Sequence, residues 1–111
     1  MTNEEFQTIL ADRISKIESI LASKAKEYAR EDRLHNFKRA AVMLRCTPER
    51  ALLGMMAKHL ISILDIVDSI DEGEMQVKSM VDEKIGDAIN YLILLEALIK
   101  ETGNIIYNNK G

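Results

Sequence analysis

Phe6, Leu10, Ile14, Ile17, Leu21 and Tyr28 recur at helical spacing, and Ile9 and Ile20 widen the face they make. The pattern predicts a first helix from about Asn3 to about Arg30. Thr2, with Glu5 three residues later, has the form of a capping box. So long an amphipathic helix wants two partners, or one partner and a subunit contact. A break is expected over Glu31 to Asn36, with Asp32 as N-cap of a second helix. Leu34, Phe37, Ala41 and Leu44 give that helix a short apolar face.

Thr47-Pro48-Glu49 marks the next start: a capping hydroxyl, a proline at the first helical position and an acid in the first turn. Helix three runs to about Ile70, with Leu52, Met56, Leu60, Ile63, Val67 and Ile70 as its core face. Met55 and Met56 read as packing. Asp71 to Ser79, with Gly73 in an acidic run, is the most loop-like stretch. Helix four covers about Met80 to Thr102, and Gly103-Asn104 stops it. The remaining tail, within residues 103–111, either frays or contacts another subunit.

From Ala88 to Ile99 the fourth helix is apolar except for Asn90, Tyr91 and Glu96. Such a helix expects protein all around it. Yet Glu83, Asp87 and Asn90 fall on one face at a four-then-three spacing, continued by Tyr91, Leu94 and Leu98. Carboxylates on a core helix are costly unless paired, hydrogen-bonded or ligand-bound. That face therefore predicts the wall of a polar site. On helix three, Lys58, Ser62 and Asp65 repeat the spacing, with His59 and Asp68 alongside. They are either the wet side of that helix or the facing wall.

Composition narrows the class. The chain has 111 residues, one Pro, no Trp and few aromatics. It is one domain, long enough for a core without disulfides, and all-α. The single cysteine, Cys46, fits a reducing cytosol and reads as a small core or boundary residue. The opening MTNEEFQTIL has no basic region, so no signal peptide is expected. No apolar run approaches the roughly 18 residues of a membrane span. A net charge of −3 argues against a polymeric nucleic-acid partner. Arg30, Arg33, His35, Lys38 and Arg39 form the main basic cluster. It reads as a solvated junction, or as an anion-binding corner built from Arg33 and a helix N-terminus.

No nucleophile elbow, phosphate loop, dinucleotide fingerprint or Cys/His metal spacing is present. Two acidic pairs remain, Asp65 with Asp68 and Glu83 with Asp87. If their helices face each other, these four carboxylates could hold Mg²⁺ on oxygen ligands. The nearby cations Lys58, His59, Lys84 and Arg33 fit better with a phosphorylated, base-containing ligand. Asn90 or Asp87 would read a base or ribose edge. Tyr28, Phe37 or Tyr91 would stack on the base.

The order EYAREDRLHNFKRAA, GMMAKHLISILDIVDSI and DEKIGDAINYLILLEALI, from about Lys24 to Lys100, resembles a family of small phage and prophage proteins. That family is related to the nucleotide-modification-associated domain and, more distantly, to the all-α MazG-like NTP pyrophosphohydrolases. The resemblance implies an all-helical, usually oligomeric fold with a nucleotide site between helices. By that match the ligand-binding residues are Arg33, Asn36, Phe37, Lys58, His59, Ser62, Asp65, Glu83, Lys84, Asp87, Asn90 and Tyr91. The MazG-like enzymes carry ExxE on one helix and ExxD on the next. Here the first motif is Asp65-Ile66-Val67-Asp68. In the second, Lys84 stands where the acid belongs and Glu83 is one place off.

The sequence thus predicts a compact bundle of about four helices over residues 1–111, assembled as a cytoplasmic homo-oligomer. Its expected function is to bind a small nucleotide without hydrolysing it, as a phage-type sponge for a nucleotide immune signal. No catalytic residue is assigned, and that reading needs no cofactor. The alternative is an Mg²⁺-dependent NTP or dNTP pyrophosphohydrolase using Asp65, Asp68, Glu83 and Asp87. A third reading is a helical interaction module closed by salt bridges such as Lys58 to Asp87.

Overall fold

The computed structural model describes residues 1–27 and 32–108 of the chain. Tyr28, Arg30 and the start of the expected break at Glu31 lie outside them, as do residues 109–111. Four helices make up the fold, α1 Asn3–Glu27, α2 His35–Leu44, α3 Pro48–Asp71 and α4 Lys78–Glu101, with no strand among the described residues.

The local signals at the helix ends act as the sequence predicts. The Glu5 N–H donates to Thr2 Oγ1 at 3.1 Å, and the Thr2 N–H donates to Glu5 Oε2 at 3.2 Å, closing the capping box. Thr47 Oγ1 accepts from the Arg50 N–H at 3.1 Å, with Pro48 opening α3. Gly103, at φ 76°, lets the chain leave α4 while the Asn104 N–H reaches back to the Ile99 carbonyl. Asp32 behaves differently. Its carboxylate accepts from the Leu34 N–H at 2.9 Å and pairs with Lys38, so it organises the turn before α2. Leu34 itself is the N-cap of α2, and no side chain caps that end. α4 starts at Lys78, a little earlier than the apolar pattern places it.

The core lies where α2, α3 and α4 meet. Leu34, Phe37, Leu52 and Leu98 form its buried cluster, with Met55, Tyr91, Leu94 and Leu95 packed against it. Leu52 and Leu98 are 0% exposed. Burying each is worth roughly 1.5–3 kcal/mol. Several residues expected in the core are not there. Leu44 is exposed because α2 ends beside it, with Arg45 turning into the left-handed region at φ 55°. On α3, Leu60, Val67 and Ile70 are exposed. Leu52, Met56 and Ile63 of the expected face are packed, but the packed side also takes in Met55, His59 and Ile66, so the apolar spacing located the first half of the face and missed its drift along the second. α4 is not surrounded by protein within one chain: Ile85 and Leu92 face outward.

α1 runs alongside α4 and in the same direction. The Arg13 guanidinium donates to the Asp82 carbonyl at 3.1 Å, and Lys16 Nζ lies 3.0 Å from Asp82 Oδ2. Further along, Leu21 shares a cavity wall with Ile93, Leu94 and Ala97. Gly86 makes room for this approach, since a Cβ there would sit 2.7 Å from Arg13 Nη1. α1 begins before α4 has started, which leaves Phe6, Ile9 and Leu10 uncovered. No helix among the described residues is long and apolar enough to cross a membrane.

Candidate functional site

A cleft of about 300 Å³ opens between α1, the start of α2 and α4. Its walls are Ile20 and Leu21 of α1, Arg33, Asn36 and Phe37 at the turn into α2, Met55 of α3, and Asp87, Asn90, Tyr91 and Leu94 of α4. The α4 contribution follows an i, i+3, i+4, i+7 pattern, one stripe of a helix. Arg33, Asn36 and Phe37 repeat the first three terms of it. The Asp32 turn and the burial of Leu34 and Phe37 fix which way that stripe points. Apolar walls with a few convergent polar groups are the usual make-up of a small-molecule site.

Asn90 is the exceptional member. It is 9% exposed, and its Oδ1 is buried with no hydrogen-bond partner among the described residues. Leaving such an acceptor unsatisfied costs about 1–3 kcal/mol. One other buried side-chain oxygen, Glu49 Oε2, also lacks a partner. Glu49 has compensation that Asn90 lacks. It sits in the first turn of α3, where the helix dipole favours a negative charge. Its Oε1 also accepts from Thr102 Oγ1 at 3.1 Å. Asn90 lies in mid-helix with its neighbours open to the cleft.

The ring of Tyr91 is held on two sides. Phe37 meets it edge-on at 6.2 Å, and the His59 imidazole lies 4.8 Å away at a 39° tilt. His59 Nδ1 is 3.6 Å from Asp87 Oδ2, an ion pair whenever the imidazole is protonated. Asp87 is thus partnered from α3 by His59, not by Lys58. Among the described lining residues Arg33 carries the only positive charge and Asp87 the only negative one. The guanidinium offers a planar fork of donors suited to a phosphate or carboxylate.

The structure brings Arg33, Asn36, Phe37, Asp87, Asn90 and Tyr91 together, with His59 directly behind two of them. It does not bring in the others. Lys58, Asp65 and Glu83 are exposed and line no part of the cleft. Ser62 spends its hydroxyl on the Lys58 carbonyl one turn back, at 3.1 Å. Lys84 is half-buried but outside the lining. The expected convergence of Asp65, Asp68, Glu83 and Asp87 on one metal is also not formed. Among the described residues no three His, Cys, Asp or Glu side chains gather as a metal site would require. Equal spacing on two helices does not make two acidic pairs face each other, and the rotation of α3 turns Asp65 and Asp68 to solvent.

Sequence reasoning overlooked the polar clasp that joins α1 to α4. Asp82 is gripped by Lys78 at 2.6 Å and by Lys16 at 3.0 Å, which holds its carboxyl down at about 2. Lys16 is correspondingly pushed up, first by its bond to Asp12 and then by Asp82. This clasp keeps α1 alongside α4, and so places Ile20 and Leu21 as one wall. Gly86 was its legible trace, a residue without a side chain on an otherwise well-filled helix.

No protein-family model, no curated protein and no solved structure matches this chain.

Proposed function

We propose that the chain binds a small phosphorylated nucleotide in this cleft and holds it without hydrolysing it. The phosphate lies against Arg33, whose guanidinium offers a fork of donors for it. The base lies against Tyr91 and Phe37, with its polar edge on Asn90 and Asp87. The observation that carries this reading is a cleft that sets one guanidinium, Arg33, and the Asp87 and Asn90 side chains beside the Tyr91 and Phe37 rings. The family resemblance of the α2, α3 and α4 segments supports the same ligand class. In that setting the protein is a cytoplasmic, homo-oligomeric phage product that sequesters a nucleotide immune signal. Holding is preferred to hydrolysis because Lys84 stands where the second acid of the hydrolases belongs and the shorter Asp65 and Asp68 stand in their first motif.

The test is a thermal-shift screen against mono-, tri-, cyclic and signalling nucleotides, with and without Mg²⁺, followed by the mass of the recovered ligand. A stabilising nucleotide recovered intact without metal is expected. Recovery as monophosphate and pyrophosphate only with Mg²⁺ would replace this reading with the pyrophosphohydrolase. A second reading, a helical interaction module, draws on the His59–Asp87 pair that joins α3 to α4. It expects no nucleotide to move the melting temperature.

A further inference from the structure

On α3, Leu53, Ala57, Leu60, Leu64 and Val67 stand at alternating intervals of four and three, the spacing of a coiled-coil seam. Every one of them is exposed; Leu64 is 60% so. On α4, Val81, Ile85, Ala88, Leu92, Leu95 and Ile99 keep the same four-three rhythm. Leu92 is 53% exposed, and Ala88 alone is fully buried. The stripe lies roughly 130° around the axis of α4, and roughly 160° around that of α3, from the residues that face the cleft. Because α3 and α4 are antiparallel neighbours, the two stripes fall on the same side of the pair, opposite the cleft. They form one apolar back face.

The surface of the whole chain indicates how much is left uncovered. It exposes 8711 Å². A folded monomer of its 12.6 kDa exposes roughly 6,200 Å² by the area–mass scaling of single-chain proteins. The excess of about 2,500 Å², shared between this face and the uncovered apolar side of α1, is larger than the roughly 800 Å² that each partner contributes to a standard stable interface. The radius of gyration, 17.0 Å, also exceeds the roughly 13 Å of a compact chain of this length.

We propose that a second copy of this chain covers the back face, α3 and α4 of one protomer packing on α3 and α4 of the other. The product is a four-helix core with a cleft facing outward on each side. A heptad seam is shaped to receive another such seam, and a two-fold axis brings the same stripe to itself. The borders carry both signs, Arg50 and Asp68 on α3 and Glu96 and Lys100 on α4. A second copy therefore meets no uniform field of like charge. This deepens the homo-oligomer part of the reading above and stands independently of the nucleotide.

The test is the solution mass of the full chain by sedimentation equilibrium. Twice 12.6 kDa, or an even multiple of it, is expected. A single-chain mass at the highest soluble concentration overturns the proposal. Leu60→Glu with Leu64→Glu is expected to give single chains that remain helical by circular dichroism. Val42→Glu with Met43→Glu, at exposed apolar positions away from the back face, leaves the mass unchanged. If the first pair leaves the wild-type mass intact, the proposed face is wrong. If it unfolds the chain, the wild-type melting temperature decides. It rises with protein concentration for a dimer, and a concentration-independent melt overturns the pairing. Nucleotide shifts do not enter these readings, so the two proposals fail separately.

Discussion

The two sides of the α3–α4 pair are unfinished in opposite ways. The cleft side buries an amide oxygen that no group among the described residues satisfies, in a wall that also carries an arginine and a carboxylate. The back side leaves Leu53, Leu60, Leu64, Ile85 and Leu92 facing out. A polar deficit is met by a ligand that supplies hydrogen bonds, and an apolar deficit by a surface that excludes water. One helix pair serves both because its two flanks are nearly independent. Between them lie buried residues, chiefly Leu52 and Leu98.

The largest expected effect comes from breaking that shared middle. Leu98→Ala is expected to cost about 2–5 kcal/mol in urea unfolding, from lost burial and a residual cavity. It should weaken ligand binding and self-association together. Arg33→Ala acts on one side only. It is expected to weaken nucleotide affinity by about 10- to 100-fold, the worth of a charge-assisted contact. Calorimetric titration should show this with the melt of the free protein unchanged.

Asn90→Leu sharpens the contrast further, because its two effects have opposite sign. Removing an unsatisfied buried oxygen is expected to raise the stability of the free protein by about 1–3 kcal/mol. The same change should abolish the nucleotide-induced thermal shift. A variant both less stable and still responsive would mean that Asn90 serves the fold alone.

The smallest effect is the response of the α1 clasp to acid. The Asp82 pKa is depressed to about 2 by Lys78 and Lys16, below its ordinary value near 3.9. Its contribution is therefore fully present above that ordinary value and is lost as pH falls toward about 2. Hydrogen-exchange protection in α1, relative to the intrinsic rate at each pH, should fall over that window more than in α3. Asp82→Asn should remove the difference.

Much of this fold was legible along the chain. Thr2 with Glu5, Thr47 with Pro48, and Gly103 place helix ends through local hydrogen bonds and dihedral limits, which need nothing distant. The α4 stripe of Asp87, Asn90 and Tyr91 was legible too, because helical periodicity fixes which residues of one helix share a face. The four-three seams on α3 and α4 were equally present in the sequence. They are easily taken for core, since Leu60 and Val67 carry the same apolar signal whether their partner is this chain or another copy.

Only the tertiary structure decided how the helices are rotated against each other. That rotation made His59, not Lys58, the partner of Asp87, and turned Asp65 away from Glu83's helix. It also brought Arg33 across the α2 turn to face α4, and set α1 against Gly86 through Asp82. Periodicity gives each helix its stripes but not the angle at which they meet. That angle is set by packing between residues far apart in sequence, where a shift of one position on a helix turns a side chain by about 100°. The sequence by itself determined four helices, the starts of α1 and α3, the end of α4 and the polar stripe on α4. Packing alone decided which polar groups share a cleft and which apolar ones are left facing water.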